Sequence, residues 1–321
     1  MSVGAPKQDV IVTEVVAVND LIKRFRFVRA DGAAMPAFSG GAHVVIEMDD
    51  HGTRRLNPYS LMSDPADLSG YEISVRRDDA GRGGSLYMHN HVRPGMRMQI
   101  SNPVNLFPSD TRARKHLMLA GGIGITPFIS MMAQLSAQGQ RFELHYSVRS
   151  EALGAYCADL RSNYGDRVHV YVDEKSEAID LKTLLATQPL GTHLYVCGPK
   201  GMINWVKATA AAMGWPKNTV HSEEFLAPPV GQPFQIELAA SGKTVMVGAA
   251  QSMLEAIEAA GVDAPYLCRG GACGQCETAV LRCDGHIDHN DHWLSDDEKA
   301  SNTKIMPCVS RFGGAALVLD R

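Results

Sequence analysis

The chain has 321 residues, 45% of them hydrophobic and 21% charged, with a formal net charge of −4. That length fits two or three domains, each with its own core, and the composition excludes disordered and fibrous classes. The near-neutral charge argues against a general nucleic-acid surface, the apolar stretches fall short of a membrane span, and residues 1–9 lack a signal-peptide layout, so a cytoplasmic location is expected.

Residues 10–100 carry short β-rich runs (VIVTEVVAV, RFRFV, HVVIEM, YEISVR, RMQI) separated by Gly, Asp and Pro clusters. This predicts an antiparallel sheet closed into a small barrel. From His116 the pattern becomes apolar strand, helix-length segment, apolar strand: HLMLA, TPFISMMAQLSAQ, FELHYSV, EALGAYCADLRSN, VHVYV, LKTLLAT, HLYVC, MINWVKATAAAM. Such alternation predicts βαβ units on a parallel sheet. The segment LAPPVGQP at residues 226–233 has the composition of a stiff linker. Beyond it come a hairpin turning at Ser241 and Gly242, a short helix pattern (SMLEAIEAA), a cysteine-bearing loop and further strands. Residues 232–321 carry seven basic and twelve acidic residues, a net of −5, leaving +1 on the remainder. An acidic terminal module can steer a basic partner or simply be a solvated surface.

Five of the seven cysteines fall within residues 268–308. Cys268, Cys273 and Cys276 form C-x4-C-x2-C, and Cys308 follows after 31 intervening residues, the plant-type 2Fe-2S spacing. Zinc, the competing explanation, usually takes paired short spacings. Glycines 270, 271 and 274 let the loop bend so that backbone N–H groups face the sulfurs. Cys157 and Cys283 read as packing residues.

Gly121, Gly122, Gly124, Thr126 and Pro127 lie where the first parallel strand meets a helix, a suitable place for a nucleotide pyrophosphate. A tight structural turn explains the same glycines. A second strand end, Cys197-Gly198-Pro199, opens the next helix, so the two loops are expected to face one crevice. Asp173 and Glu174 suit ribose hydroxyls, whereas Arg149 and Ser150 suit an added 2′-phosphate; the balance favours NADH. In the barrel, Arg54-Arg55-Leu56-Asn57-Pro58-Tyr59-Ser60 and Gly81-Arg82-Gly83-Gly84-Ser85 offer an aromatic ring, a hydroxyl, arginines and a glycine turn opening a helix. Those groups suit a flavin ring and one phosphate, although each alone is ordinary in a turn.

The order of YSL, GRGGS, GGIGITP, CGP, EEF and the C-terminal cysteine loop resembles the phthalate dioxygenase reductase family over nearly the whole chain. The resemblance implies a multidomain chain: an antiparallel flavin-binding β-barrel (residues 1–107), an α/β parallel-sheet NAD-binding domain (108–226), a linker (227–233) and an α+β plant-type ferredoxin domain of β-grasp form (234–321). It implies FMN rather than FAD, a monomer, and a Rieske-type oxygenase as electron acceptor. Tyr59 and Ser60 then contact the flavin ring, with Ser60 near N5 and Val75 and Arg76 beside the ring or ribityl chain. Gly83, Gly84 and Ser85 form the phosphate turn, Thr126 lies between flavin and nicotinamide, Cys197 faces the nicotinamide, and Phe225 packs on the flavin. The family's R-x-Y-S reads Asn57-Pro58-Tyr59-Ser60 here, so Arg55 or Arg54 is expected to take the place of the missing arginine. The implied path is hydride from NADH to flavin, then single electrons to the 2Fe-2S cluster and on to the oxygenase through the edge at residues 269–272. Competing readings are a reductase for a di-iron monooxygenase or a haem protein, and a non-catalytic iron–sulfur redox sensor.

Overall fold

The computed structural model describes residues 7–50 and 52–321; residues 1–6, at which the signal-peptide reading begins, lie outside the described residues. The first sheet comprises β1 (Lys7–Asn19), β2 (Ile22–Arg29), β3 (His43–Asp50), β4 (Thr53–Ser60), β5 (Tyr71–Arg76) and β6 (Arg97–Ser101), with helix α1 (Gly84–Asn90) between β5 and β6. Its order is β4-β3-β6-β1-β2-β5, antiparallel throughout. The sheet curls so that its edges meet, and Met62 N–H, just beyond β4, donates to the Glu72 carbonyl at 2.8 Å. Alternate residues point inward: Val10 and Val12, Phe25 and Phe27, Val44 and Ile46, and Ile73 and Val75 share one core. Each such side chain contributes about 1.5–3 kcal/mol by leaving water. Strand β4 is absent from the sequence expectation because Pro58 interrupts its pattern. Proline is tolerated there because β4 is an edge of the hydrogen-bonded order.

The second sheet holds β7 (Lys115–Gly121), β8 (Phe142–Val148), β9 (Val168–Val172), β10 (Thr192–Cys197) and β11 (Val220–Glu223). Its order is β11-β10-β7-β8-β9, all parallel. Helices α2 (Thr126–Ala137), α3 (Cys157–Tyr164), α4 (Leu181–Ala186) and α5 (Lys200–Ala212) cover it. Met118 and Ala120 pack toward Phe128 of α2, while Leu117 and Leu119 pack toward Ile203 of α5. Burial on both faces explains why β7 reads as an unbroken apolar run. Helix α3 begins six residues later than the sequence pattern suggests. The preceding turn docks instead on the barrel: Asn19 donates to the Leu153 carbonyl at 3.2 Å, and the Tyr156 and Ser74 hydroxyls lie 2.5 Å apart.

The third sheet, β13-β12-β16-β14-β15, comprises β12 (Phe234–Leu238), β13 (Lys243–Val247), β14 (Thr278–Asp288), β15 (Lys304–Ile305) and β16 (Arg311–Leu319). The hairpin turns at Gly242, with φ 64°, and β16 runs parallel to β12. Helix α6 (Met253–Ala259) packs on the sheet and starts with a capping box between Ser252 and Glu255; α7 (Asp296–Ser301) starts with another. Cys157 and Cys283 are half-buried rather than enclosed. No helix among the described residues is long and apolar enough to cross a membrane.

One buried ion pair joins the first and third modules. Arg82 reaches Glu255 with its guanidinium and donates from Nε to the Ala250 carbonyl at 2.9 Å, with the two side chains only 14% and 8% exposed. Removing one partner of such a pair strands the other charge at a cost of about 3–5 kcal/mol. Arg82→Met is therefore expected to loosen the third module and to speed protease cleavage within residues 224–233. Cleavage at the wild-type rate would show that the pair does not hold the modules together.

Candidate functional site

A crevice of about 760 Å³ opens at the carboxyl ends of β7, β8 and β10. The chain order reverses between β7 and β10, and loops leaving such a switch point diverge to leave room for a ligand. The crevice gathers Arg76, Gly121, Gly122, Gly124, Asp173, Gly198, Pro199 and Phe225 from the sequence-stated set. Trp205, Met202 and Lys200 of α5 and Leu21 of the barrel also line it, and none of these was identified from sequence. Lys200 follows the CGP turn directly, so its position could have been read; Trp205 carries no local signal.

The glycines of the two loops do different work. A Cβ on Gly124 would overlap the Cys197 carbonyl, and one on Gly121 would lie 2.8 Å from Pro199 Cδ. These glycines, with Gly198, let two backbones pack against each other. Gly122 has φ 54° and nothing within 4 Å of its missing side chain, so it faces open space. Thr126 is 2% exposed and its hydroxyl donates to the Ile123 carbonyl at 3.0 Å, fixing the turn before α2. Pro127 occupies the first turn of α2, where its missing N–H costs nothing. Cys197 is buried at the end of β10, in register with Glu223 on β11.

The far end of the crevice mixes charges. Arg149, Asp173 and Glu177 all line it, and Glu177 accepts from Val172 N–H at 2.9 Å. Ser150 is buried and its hydroxyl accepts from Leu153 N–H at 3.3 Å, so it serves the turn. Phe225, just beyond β11, is 49% exposed and lines the crevice.

On the barrel, Gly83 has φ 96° and caps α1 without any side-chain acceptor for the helix's first N–H groups. A Cβ on Gly83 would lie 3.0 Å from the Arg55 guanidinium, and one on Gly84 would lie 2.6 Å from Asn57 Nδ2. Arg55 thus stands beside the turn, held by Asp50 at 2.8 Å, and Asn57 closes the other side. Arg54 turns elsewhere, pairing with Glu47 at 2.8 Å. The Ser85 hydroxyl accepts from Asp78 N–H at 3.0 Å, leaving its backbone at the turn. This is a cradle with uncapped N–H groups and a cation, and it fits a phosphate. Ser60 and Val75 are buried on the two barrel edges that meet, and the Tyr59 hydroxyl is buried beside Asn57.

The cysteine loop lies under α6. Cys268, Cys276 and Cys308 are buried and Cys273 is half-buried. Cys276 and Cys308 Sγ lie 3.2 Å apart, and Gly270 N–H points at Cys268 Sγ from 3.4 Å. A hydrogen bond with Cys273 and backbone N–H groups from Gly270 and Ala272 hold the Cys268 thiol below its ordinary range. Four thiols and inward N–H groups fit a 2Fe-2S cluster. Gly271 and Gly274 take left-handed φ, but so does Arg269, at φ 52°, while Gly270 does not. Arg269 is 6% exposed, pairs with Glu258 and lies 3.7 Å from the Tyr266 ring centroid. The expectation of an exposed edge at residues 269–272 is therefore corrected. Arg269 faces inward because the ion pair and the ring hold it there, and the exposed positions are Ala272 and Gln275.

Comparison with known proteins accords with this geometry. Residues 236–312, which include all four cysteines, match the 2Fe-2S iron-sulfur cluster binding domain, and residues 100–220 match the N-terminal domain described as dimethylamine monooxygenase subunit DmmA-like. The chain is 45% identical to the haem-dependent oxidative N-demethylase beta subunit of Ectopseudomonas mendocina, covering 97% of this chain and 98% of that one. It is 40% identical to the vanillate O-demethylase oxidoreductase of a Pseudomonas species, with 97% and 99% covered. The solved structure of phthalate dioxygenase reductase, described as carrying electrons from pyridine nucleotides to [2Fe-2S], superimposes with a TM-score of 0.87 at 35% identity over 98% of both chains. Three sheets in this order, with the crevice and the cysteine loop they position, make the chain a member of the phthalate dioxygenase reductase family, the flavin and iron–sulfur reductase components of oxygenase systems.

Proposed function

We propose that the protein carries electrons from NADH through FMN and a 2Fe-2S cluster to a terminal oxygenase of Rieske type. The observation that carries this reading is that one crevice is walled by both modules, with Arg76 from the barrel across from Gly122 and Asp173 of the nucleotide sheet. A nicotinamide and a flavin can therefore meet without domain movement. FMN is favoured by the single phosphate cradle at Gly83, Gly84 and Ser85, where Arg55 supplies the charge that Asn57 lacks. Tyr59, Ser60, Val75 and Arg76 would flank the ring, and the exposed Phe225 would cover it until nicotinamide takes its place.

In the nucleotide, the pyrophosphate would lie on Gly122 and the first turn of α2, and Pro199 would border its second loop. Asp173 would accept from the ribose hydroxyls and repel a 2′-phosphate. Cys197, beneath the loops, would bound the nicotinamide pocket, and Thr126 would keep its floor rigid. Cys268, Cys273, Cys276 and Cys308 would ligate the cluster. A flavin held there would supply the conversion of a hydride's electron pair into single electrons for the cluster. The protein's own part is to align, to exclude water and to set charge.

A haem-dependent acceptor is a second reading, favoured by the 45% identity to a haem-dependent demethylase subunit. Reduction of a Rieske oxygenase but not of a haem demethylase by the purified protein and NADH decides for the first; the opposite outcome decides for the second. An absorption spectrum with analysis of released flavin checks the cofactors, and FAD in place of FMN would overturn that assignment.

Two variants examine the site. Phe225→Ala is expected to weaken flavin retention and to alter the hydride-transfer rate measured by stopped flow; no change in either would remove Phe225 from the flavin face. Burial pushes the Glu223 carboxyl from its ordinary 4.5 up to about 8. Between those values the folded protein keeps a proton that the unfolded chain has released. Stability from this group is fully present below about 4.5 and is lost as pH rises towards 8. Glu223→Gln is expected to flatten that part of the Tm profile and to raise Tm near the upper end; an unaltered slope would contradict the assignment.

A further inference from the structure

Away from the crevice, three side chains on adjacent strands converge without a role in electron transfer. Glu143 and His145 stand two residues apart on β8 and so share a face, and His169 on β9 pairs in register with His145. Both histidine Nε2 atoms lie 3.1 Å from the same carboxylate oxygen, Glu143 Oε1. The imidazoles stack with centroids 4.7 Å apart and planes 20° apart, and the three candidate ligand atoms all lie within 4.8 Å of one another.

We propose that Glu143, His145 and His169 bind a zinc ion at the outer edge of the nucleotide sheet. A tetrahedral zinc with bonds of about 2.0–2.1 Å needs ligand atoms roughly 3.3 Å apart, close to the 3.1 Å from each histidine Nε2 to Glu143 Oε1. Two imidazoles and a carboxylate form a donor set suited to zinc among available cations. The surroundings support it. His145 Nδ1 lies 2.8 Å from the Tyr171 hydroxyl, an outer partner that fixes the ring and leaves Nε2 for the metal. Lys115 Nζ, 2.5 Å from Glu143 Oε2, occupies the other carboxylate oxygen and leaves Oε1 to bind alone, although its charge works against the ion. His145 is 5% exposed and His169 42%, so the fourth position opens to solvent on edge strand β9. Glu143 is five residues before the end of β8, about 17 Å from the crevice end of that strand. The ion would staple β8 to β9 below the ends that carry Arg149 and Asp173.

The competing explanation is a plain hydrogen-bonded network, with both Nε2–H groups donating to Glu143. Lysine distinguishes the two, since its positive charge supports the network's carboxylate but opposes a dication. A second cluster supplies the control. His193 Nδ1 and His221 Nε2 lie 3.0 Å apart, and Asp110 is held by Arg112 at 2.6 Å.

The test is calorimetric titration of the full-length protein, cluster intact and freed of loose metal by dialysis, with zinc chloride while iron content is followed. One bound zinc is expected, with a rise in Tm. His169→Ala, at a half-exposed edge position, should weaken binding at least tenfold and abolish the Tm rise, and Glu143→Gln should do likewise. Lys115→Met should strengthen binding several-fold, and His221→Ala should leave it unchanged. Zinc binding that survives His169→Ala, binding lost only with His221→Ala, zinc uptake matched by loss of iron, or no binding by the wild type would each overturn the site.

Discussion

Glu255 performs two tasks with one carboxylate. It closes the capping box of α6 by accepting from Ser252 N–H at 2.8 Å, and it receives the Arg82 guanidinium from the barrel. Arg82 belongs to the turn that holds Gly83 and Gly84, and one helical turn beyond Glu255 the same helix presents Glu258 to Arg269, the neighbour of Cys268. A line of charged contacts thus runs from the glycine turn of the barrel to the cysteine loop. The barrel turn and the cysteine loop are thereby fixed to successive turns on one face of a short helix. Low exposure makes the contacts matter, because a charge left unpaired at such depth has no water to compensate it.

The joints around this line are equally direct. Gly40 presses against the backbone of α2 and donates its N–H to Gln134 Oε1 at 2.6 Å, while Gly41 presses against the Phe107 carbonyl and the Met131 side chain. Arg311, 4% exposed, donates to the Gln232 carbonyl at 2.7 Å and to the Gln251 carbonyl at 3.1 Å, pinning the chain where it enters the third module. His292 meets Glu224 at 3.0 Å beside Phe225. The proline-rich segment is therefore anchored at both ends, and its stiffness keeps the intervening chain from taking up slack.

Much of this was legible in the sequence because its signals are local. Cysteine spacing, the glycine loop after an apolar strand, and the alternation of strand and helix patterns all sit within short windows. What escaped depends on distant partners. Strand β4 is hidden by Pro58, which only its edge position excuses, and the short β11 has too few residues to signal itself. The start of α3 is set by a hydroxyl on the barrel. Arg269 looked exposed because arginine usually is, yet Glu258 and Tyr266 turn it inward. The asparagine at 57 left Arg55 and Arg54 as equal substitutes, and only the folded chain separates them, with Arg55 beside the Gly83 turn and Arg54 held by Glu47.

The backbone contact between the two glycine loops divides the crevice into two parts that differ in packing. Gly124 and Gly121 leave no thickness between those loops, so any larger residue at either position would push them apart. At the ends of β8 and β9, by contrast, Arg149, Asp173 and Glu177 line the crevice from loops that share none of that packing. The two features are thereby separable: a few exposed side chains at that end can drift while the contact between the two loops stays constant.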